Sequence, residues 1–193
     1  MKKIRRVTKE THIEIKFDTE GKSDISVNTG LKFFDHMLSA FACHGRFGLS
    51  IKAKGDVDVD PHHLIEDVGI VLGKAIKDSF NERIPVSRAG YFSFPMDMSL
   101  ANVALDLCGR PNLVWNVPLK LRKINEFDLS LIRDFFKALS DSMRSTIHIN
   151  VPYSDNDHHA LEAVFKAFGR SLKYACEPIV KGKLLSTKGK IDD

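Results

Sequence analysis

The chain has 193 residues, 43% of them hydrophobic and 28% charged, with a net charge of +4. That balance excludes a disordered chain and fits one large domain, or two small ones around a shared core. No apolar run approaches the roughly 18–20 residues of a membrane span, and the basic start MKKIRR leads into strand-like VTKETHIEIKFD, not an apolar signal core. The three cysteines, Cys43, Cys108 and Cys176, are widely spaced and odd in number. They argue against a disulfide framework and for a reducing, cytoplasmic setting. The basic residues are scattered, apart from KKIRR near the start and KGKLLSTKGK near the end, and lack the interleaved aromatics of a nucleic-acid surface. A small phosphorylated molecule fits the charge equally well, so neither nucleic acid nor membrane is expected as a partner.

The chain opens with strand-like runs over residues 4–17 and 24–28. Helical spacing follows from Leu31 to Ala42, with Gly45 as its stop, and then a strand up to Asp56. Pro61 favours the start of a second helix. The stretch NERIPVSRAG (81–90) has turn chemistry and little periodicity, and marks a join between a first half at 1–88 and a second at 89–180. The second half has strand-like runs at 91–95 and 99–107, with a possible extra strand near 113–117. LIRDFFKALSDSMRSTIHIN (131–150) reads as a helix followed by an alternating strand, and Asp157 as the N-cap of a last helix. Each half therefore reads ββαβα, and the fold class is α+β.

The halves are related in sequence. HHLIEDVGIVLGKAIKDS (62–79) aligns with HHALEAVFKAFGRSLKYA (158–175), with identities at both histidines, the glutamate, Val68/Val164, Gly73/Gly169 and Lys77/Lys173. A repeat of about half the chain points to duplication, not to a solenoid. A single His-His-x-x-Glu on an amphipathic helix reads as an ordinary polar face. Two copies in register are harder to read so, because a solvated face has no reason to repeat its histidines.

Adjacent histidines on a helix point about 100° apart. One pair is thus poorly placed to serve a single metal, but it can serve two metals on either side of the helix. Imidazole with carboxylate suits Mn, Fe or Zn. His36, on the preceding helix, is the next candidate ligand, and its repeat partner is Asp134. His148 reads as a strand histidine with a hydrogen bond, and His44 as a helix C-cap or a residue of the same cleft.

These motifs resemble the imidazoleglycerol-phosphate dehydratase family of histidine biosynthesis. The likeness runs through RRVTKET (5–11), FFDHML (33–38), HG (44–45), KGD (54–56), HHLIED (62–67), PMD (95–97), DLCGRP (106–111), NDHHALEAVFKAFGRSL (156–172) and STKG (186–189). It implies two similar halves, each a four-stranded sheet with two helices, like the ribosomal protein S5 domain 2 fold. It also implies a homo-oligomer of about 24 subunits, with sites between subunits and two Mn ions per site. His36, His63, His158 and Glu162 would hold one ion, and His62, His159 and Glu66 the other. The family commonly has His where this chain has Asp134, Glu where it has Met98, and Ser where it has Cys108.

The implied activity is that of a hydro-lyase, dehydrating D-erythro-imidazole-glycerol phosphate to imidazole acetol phosphate. The C–H to be broken lies beside a ring and a hydroxyl, not a carbonyl, so the ring must take up electrons. A metal at each ring nitrogen would hold it as an imidazolate able to expel the side-chain hydroxide. By the same resemblance Glu10 is the acid/base. His44, Arg88, Arg110, Lys166, Ser186, Thr187 and Lys188 contact substrate, with residues 181–193 a tail over the phosphate. Without the resemblance, Glu10 would read as a strand-surface carboxylate and STKG as a basic tail. Two other classes compete: a dinuclear metallohydrolase using the same ligands, and an RNA- or ribosome-associated protein, against which the paired histidines argue.

Overall fold

The computed structural model describes residues 1–80 and 85–179. The first half contains β1 (Lys2–Val7), β2 (Thr11–Asp18), β3 (Ile25–Asn28), α1 (Lys32–Gly45), β4 (Gly48–Gly55) and α2 (Pro61–Phe80). The second contains β5 (Ala89–Met96), β6 (Ser99–Asp106), β7 (Asn112–Asn116), a short hairpin of β8 (Lys123–Ile124) and β9 (Phe127–Asp128), α3 (Leu131–Met143), β10 (Thr146–Tyr153) and α4 (Asp157–Ala175). The sheets are ordered β1-β2-β4-β3 and β5-β6-β10-β7, so the duplication is carried by the topology as well as by the motif. In both, the third strand of the half runs parallel to the strand that follows the first helix, and the other neighbours are antiparallel.

Each four-stranded sheet has one more strand before the first helix of its half than the ββαβα reading gave, and the second half adds the separate β8–β9 hairpin. The run at 4–17 is a hairpin. Thr8 Oγ1 accepts from the Glu10 and Thr11 N–H groups at 3.1 and 2.9 Å and turns the chain between β1 and β2. The extra strand near 113–117 is β7, the counterpart of β3. Two helix ends also differ from expectation. Gly45 is the last residue of α1, and Arg46 takes the left-handed cap position at φ 54°. The N-cap of α4 is Asn156, whose side chain accepts from the His158 and His159 N–H groups at 2.8 and 3.2 Å. Asp157 is instead turned inward, and its carboxylate accepts from the Lys120 and Leu121 N–H groups at 2.9 and 2.6 Å.

Strand alternation sets the layers. Ile13, Ile15 and Phe17 of β2, with Ala101, Val103 and Leu105 of β6, face the helices and are buried, while His12, Glu14 and Lys16, and Asn102 and Ala104, lie on the more exposed face. The helices pair across the halves, α1 with α4 and α2 with α3, so a single core runs through both. Phe41, Phe135, Phe136, Phe165 and Phe168 fill its centre. The repeated glycine explains the close approach. A Cβ on Gly169 would meet Phe41 O at 2.4 Å, and one on Gly73 would meet Leu139 O at 2.7 Å. Both positions must lack a side chain for the paired backbones to touch. Among the described residues, no helix is long and apolar enough to cross a membrane. Cys43, Cys108 and Cys176 are free thiols.

One carboxylate organises the loop after β2. Asp18 accepts from the N–H groups of Glu20, Lys22 and Ser23 and from the Ser23 hydroxyl, at 2.9 to 3.2 Å. Burial works to raise its pKa, but these bonds and the N-terminal charge more than offset it, and the net shift is below the ordinary 3.8. A carboxyl with a depressed folded pKa stabilises above its unfolded value and loses that contribution as pH falls through the folded one. Asp18→Asn should therefore destabilise by about 1–2 kcal/mol near pH 7. The difference should shrink below pH 3.8, as followed by denaturant titration at several pH values.

Candidate functional site

The paired helices carry the repeated histidines. α1 and α4 run side by side in the same direction, which places His36 of α1 against the first turns of α4. His36 Nε2 and His158 Nε2 lie 3.4 and 3.2 Å from the same Glu162 oxygen, Oε2. The two imidazole nitrogens and the carboxylate oxygen all fall within 4.8 Å of one another, an arrangement able to surround one cation. Glu162 is buried. Its other oxygen, Oε1, is 2.9 Å from Lys166 Nζ, one helical turn on. Burial pushes the Glu162 carboxyl up, but Lys166 and His36 together hold it below the ordinary range, so it is an anionic donor near neutral pH. Two nitrogens and a carboxylate oxygen suit Mn, Fe or Zn, and the group fits the ion that the sequence implies.

The pseudo-equivalent pair is α2 with α3. His62 Nε2 lies 3.8 Å from Asp134 Oδ2, so Asp134, the repeat partner of His36, faces the first histidine of the other pair. Glu66, one turn beyond His62, is exposed on α2. The second histidine of each pair goes elsewhere. His63 Nδ1 meets the Asp56 carboxylate at 3.2 and 3.3 Å, and His159 Nδ1 lies 3.5 Å from Asp97 Oδ2. Within one chain, His63 is not in the group formed by His36, His158 and Glu162. The 100° splay between neighbours on a helix separates them as expected.

Glu10 sits in the β1–β2 turn, where its carbonyl accepts from the Asp56 N–H at 3.1 Å. Asp67 of α2 fixes that turn, accepting from Arg6 Nε at 2.8 Å and from the Thr11 hydroxyl. Glu10 is thereby held beside His63, whose pKa is raised chiefly by the Asp56 hydrogen bond, with the charge of Glu10 adding to it. His44 lies two turns beyond His36, edge-on to Phe94 at 5.1 Å. Burial lowers its pKa, and Lys166 and Arg170 add to the effect, which favours a neutral ring. Lys166 also packs over the Phe94 ring at 5.4 Å.

Arg88 and Arg110 are placed differently. Arg88 donates two bonds to Asp106, at 2.6 and 2.9 Å, and its N–H bonds to Ala175 O at the far end of α4. Arg110 lies near the start of β10, where its carbonyl accepts from the Thr146 hydroxyl at 3.1 Å. The Arg88 N–H is bound to Ala175, 17 residues beyond His158 on α4, so the Arg88 backbone stands roughly 25 Å along the helix from His158 of the same chain. Ser186, Thr187 and Lys188 lie outside the described residues. Sequence reasoning gave no role to Asp56, Asp67 or Asp97. The first precedes His63 by one loop, a spacing too irregular to stand out, and the other two are near only in space.

Known proteins match this architecture over nearly its whole length. The sequence pattern of the imidazoleglycerol-phosphate dehydratase family matches residues 29–172. The imidazoleglycerol-phosphate dehydratase of Geobacter metallireducens is 47% identical over 190 residues, covering 97% of each chain, and that of Lacticaseibacillus casei gives the same figures. The crystal structure of the Staphylococcus aureus enzyme superposes with a TM-score of 0.82 at 35% identity, covering 93% of this chain and all of that one. A Pyrococcus furiosus structure of the enzyme, in complex with (S)-C348, gives 0.82 at 36% identity over 96% and 99%. With its duplicated sheets, its paired helices and its histidine–carboxylate cluster, the chain belongs to the imidazoleglycerol-phosphate dehydratase family.

Proposed function

We propose that the chain dehydrates D-erythro-imidazole-glycerol phosphate to imidazole acetol phosphate in cytoplasmic histidine biosynthesis, with two Mn ions at a site assembled between copies of itself. The convergence of His36, His158 and Glu162 on one point is the observation that carries this reading. The ions would supply Lewis acidity at the substrate's ring nitrogens. One ion would be held by His36, His158 and Glu162, with His63 of another copy. The second would be held by His62 and Glu66, with Asp134 offering an oxygen where the family commonly has a nitrogen, and with His159 of another copy.

The separation along α4 supports sharing. A substrate whose ring sits at His158 does not span the roughly 25 Å to the Arg88 backbone of the same chain, so Arg88 serves a ring held by a neighbour. An assembly of 24 subunits would close every such site. Arg88, Arg110, Lys166, Ser186, Thr187 and Lys188 neutralise and orient the phosphate, and His44 lines the cleft. Glu10, beside His63, takes the proton from the side-chain carbon next to the one that loses hydroxide. Water is lost overall, and the resulting enol becomes the ketone.

The test is direct. Protein loaded with Mn, incubated with imidazole-glycerol phosphate, should yield the ketone and retain about two Mn per chain. A chelator should abolish turnover and Mn should restore it. Release of inorganic phosphate in place of the ketone would make it a hydrolase. A chain that purifies and works without metal would remove the reading altogether.

A further inference from the structure

Among the described residues, the second histidine of each pair joins no group that could hold a metal, yet each faces a carboxylate. His63 Nδ1 faces both oxygens of Asp56, at 3.3 and 3.2 Å. His159 Nδ1 is buried and has no hydrogen-bond partner among the described residues, and Asp97 Oδ2 stands 3.5 Å away. The His159 side chain is nevertheless 30% exposed. With Nδ1 buried, that exposure lies on the remaining side-chain atoms, among which Nε2 is the one able to bind a metal. The His63 side chain is similarly open, at 35%.

The two carboxylates come from different places. Asp56 leaves the end of β4, and its N–H is tied to Glu10 O at 3.1 Å. Asp97 occupies the β5–β6 turn, the counterpart of the turn that bears Glu10. It adopts φ 48°, a left-handed conformation that Asp tolerates better than most side chains. The duplication has therefore kept the relation without keeping the residue that makes it: a hairpin or loop carboxylate behind the second imidazole of each pair. An Nδ1–H donated to a carboxylate fixes the tautomer, leaves the Nε2 lone pair free and holds the ring plane.

We propose that Asp56 and Asp97 are positioning residues that grip His63 and His159 at Nδ1 and present their Nε2 atoms outward as the donors each chain lends to a metal held by another copy. This rests on the metal reading given above. It adds which nitrogen donates, and which residues decide that.

Mn binding is measured on the full-length protein from the electron paramagnetic resonance signal of free Mn. The chains compared are wild type, Asp56→Ala, Asp97→Ala, Asp56→Asn and Asp97→Asn, each also melted in chelator. Each alanine variant should weaken one class of Mn site by about 10–100-fold. Each asparagine variant should stay within about fivefold of wild type, because its amide oxygen accepts the same Nδ1–H. The metal-free melting temperatures of the Asp56 variants and of Asp97→Asn should agree with wild type within about 2 °C, while that of Asp97→Ala should fall by about 2–4 °C, the cost of alanine at a left-handed position, whatever its Mn affinity. Alanine variants that bind Mn like wild type, asparagine variants as weak as alanine, or metal-free melting temperatures that fall beyond these limits in step with affinity would each overturn the proposal. A wild-type chain that binds no Mn would fail the metal reading itself and take this proposal with it. Tight wild-type binding with unaffected alanine variants would fail this proposal alone.

Discussion

Replacing Glu162 by Gln is expected to empty one of the two proposed Mn positions and to lower turnover by more than about 100-fold. Removing an outer partner of a ligand typically weakens metal binding by about 10–100-fold, and Glu162 is placed as a direct donor, so its loss should exceed that. The amide keeps the shape but not the charge that draws His36 and His158 to Oε2. It also strands Lys166, whose side chain is only 15% exposed and whose ammonium faces Oε1 at 2.9 Å. Leaving that ammonium without its anion should cost about 1–3 kcal/mol in the metal-free protein. Metal analysis, a ketone-formation assay and a melt in chelator read the three effects separately. Two Mn per chain with unchanged turnover would show that the cluster on α1 and α4 is not the metal centre.

Gly169→Ala is expected to disturb the same centre from a distance, through packing alone. The new methyl would lie 2.4 Å from Phe41 O and 3.0 Å from Gly45 N, both backbone atoms of α1. Neither can rotate away, so α1 must move, and His36 with it. Overpacking of this kind costs about 1–3 kcal/mol. For a chain of this size that is a fall in melting temperature of roughly 3–10 °C. Mn affinity should drop at the position held by His36, His158 and Glu162. The repeat supplies the control. Gly73→Ala presses on Leu139 O at 2.7 Å and would shift α3, which carries Asp134, instead of α1. The two variants should therefore weaken different Mn positions while destabilising to a similar extent. Equal weakening of both positions by each variant would mean that the helix pairs do not act separately.

The duplication, the α+β class and the residues of the cluster were legible in the sequence, because each rests on local chemistry. Alternation in THIEIKFD, helical spacing around FFDHML and two His-His-x-x-Glu segments in register need no knowledge of distant neighbours. The hairpin hidden in residues 4–17 was not legible, because a turn made by the Thr8 hydroxyl interrupts no hydrophobic pattern. Nor were the helix ends. Gly45 looks like a stop, yet it stays helical and lends its bare Cα to the contact with α4, while Arg46 accepts the left-handed turn. Asp157 looks like a cap, yet it is drawn inward by the Lys120 and Leu121 amides, which are far off in sequence.

By itself the sequence determined which side chains repeat and that neighbouring imidazoles must diverge, since the 100° step of a helix follows from backbone geometry. Only the tertiary structure decided their company. Crossed pairing of the helices brings His36 of one half to His158 and Glu162 of the other. The turns that follow β4 and β5 then set Asp56 and Asp97 behind the histidines that remain. The physical reason is that these contacts are made by bare glycine surfaces and buried aromatic rings meeting across the two halves, and such complementarity exists only once both halves have folded against each other.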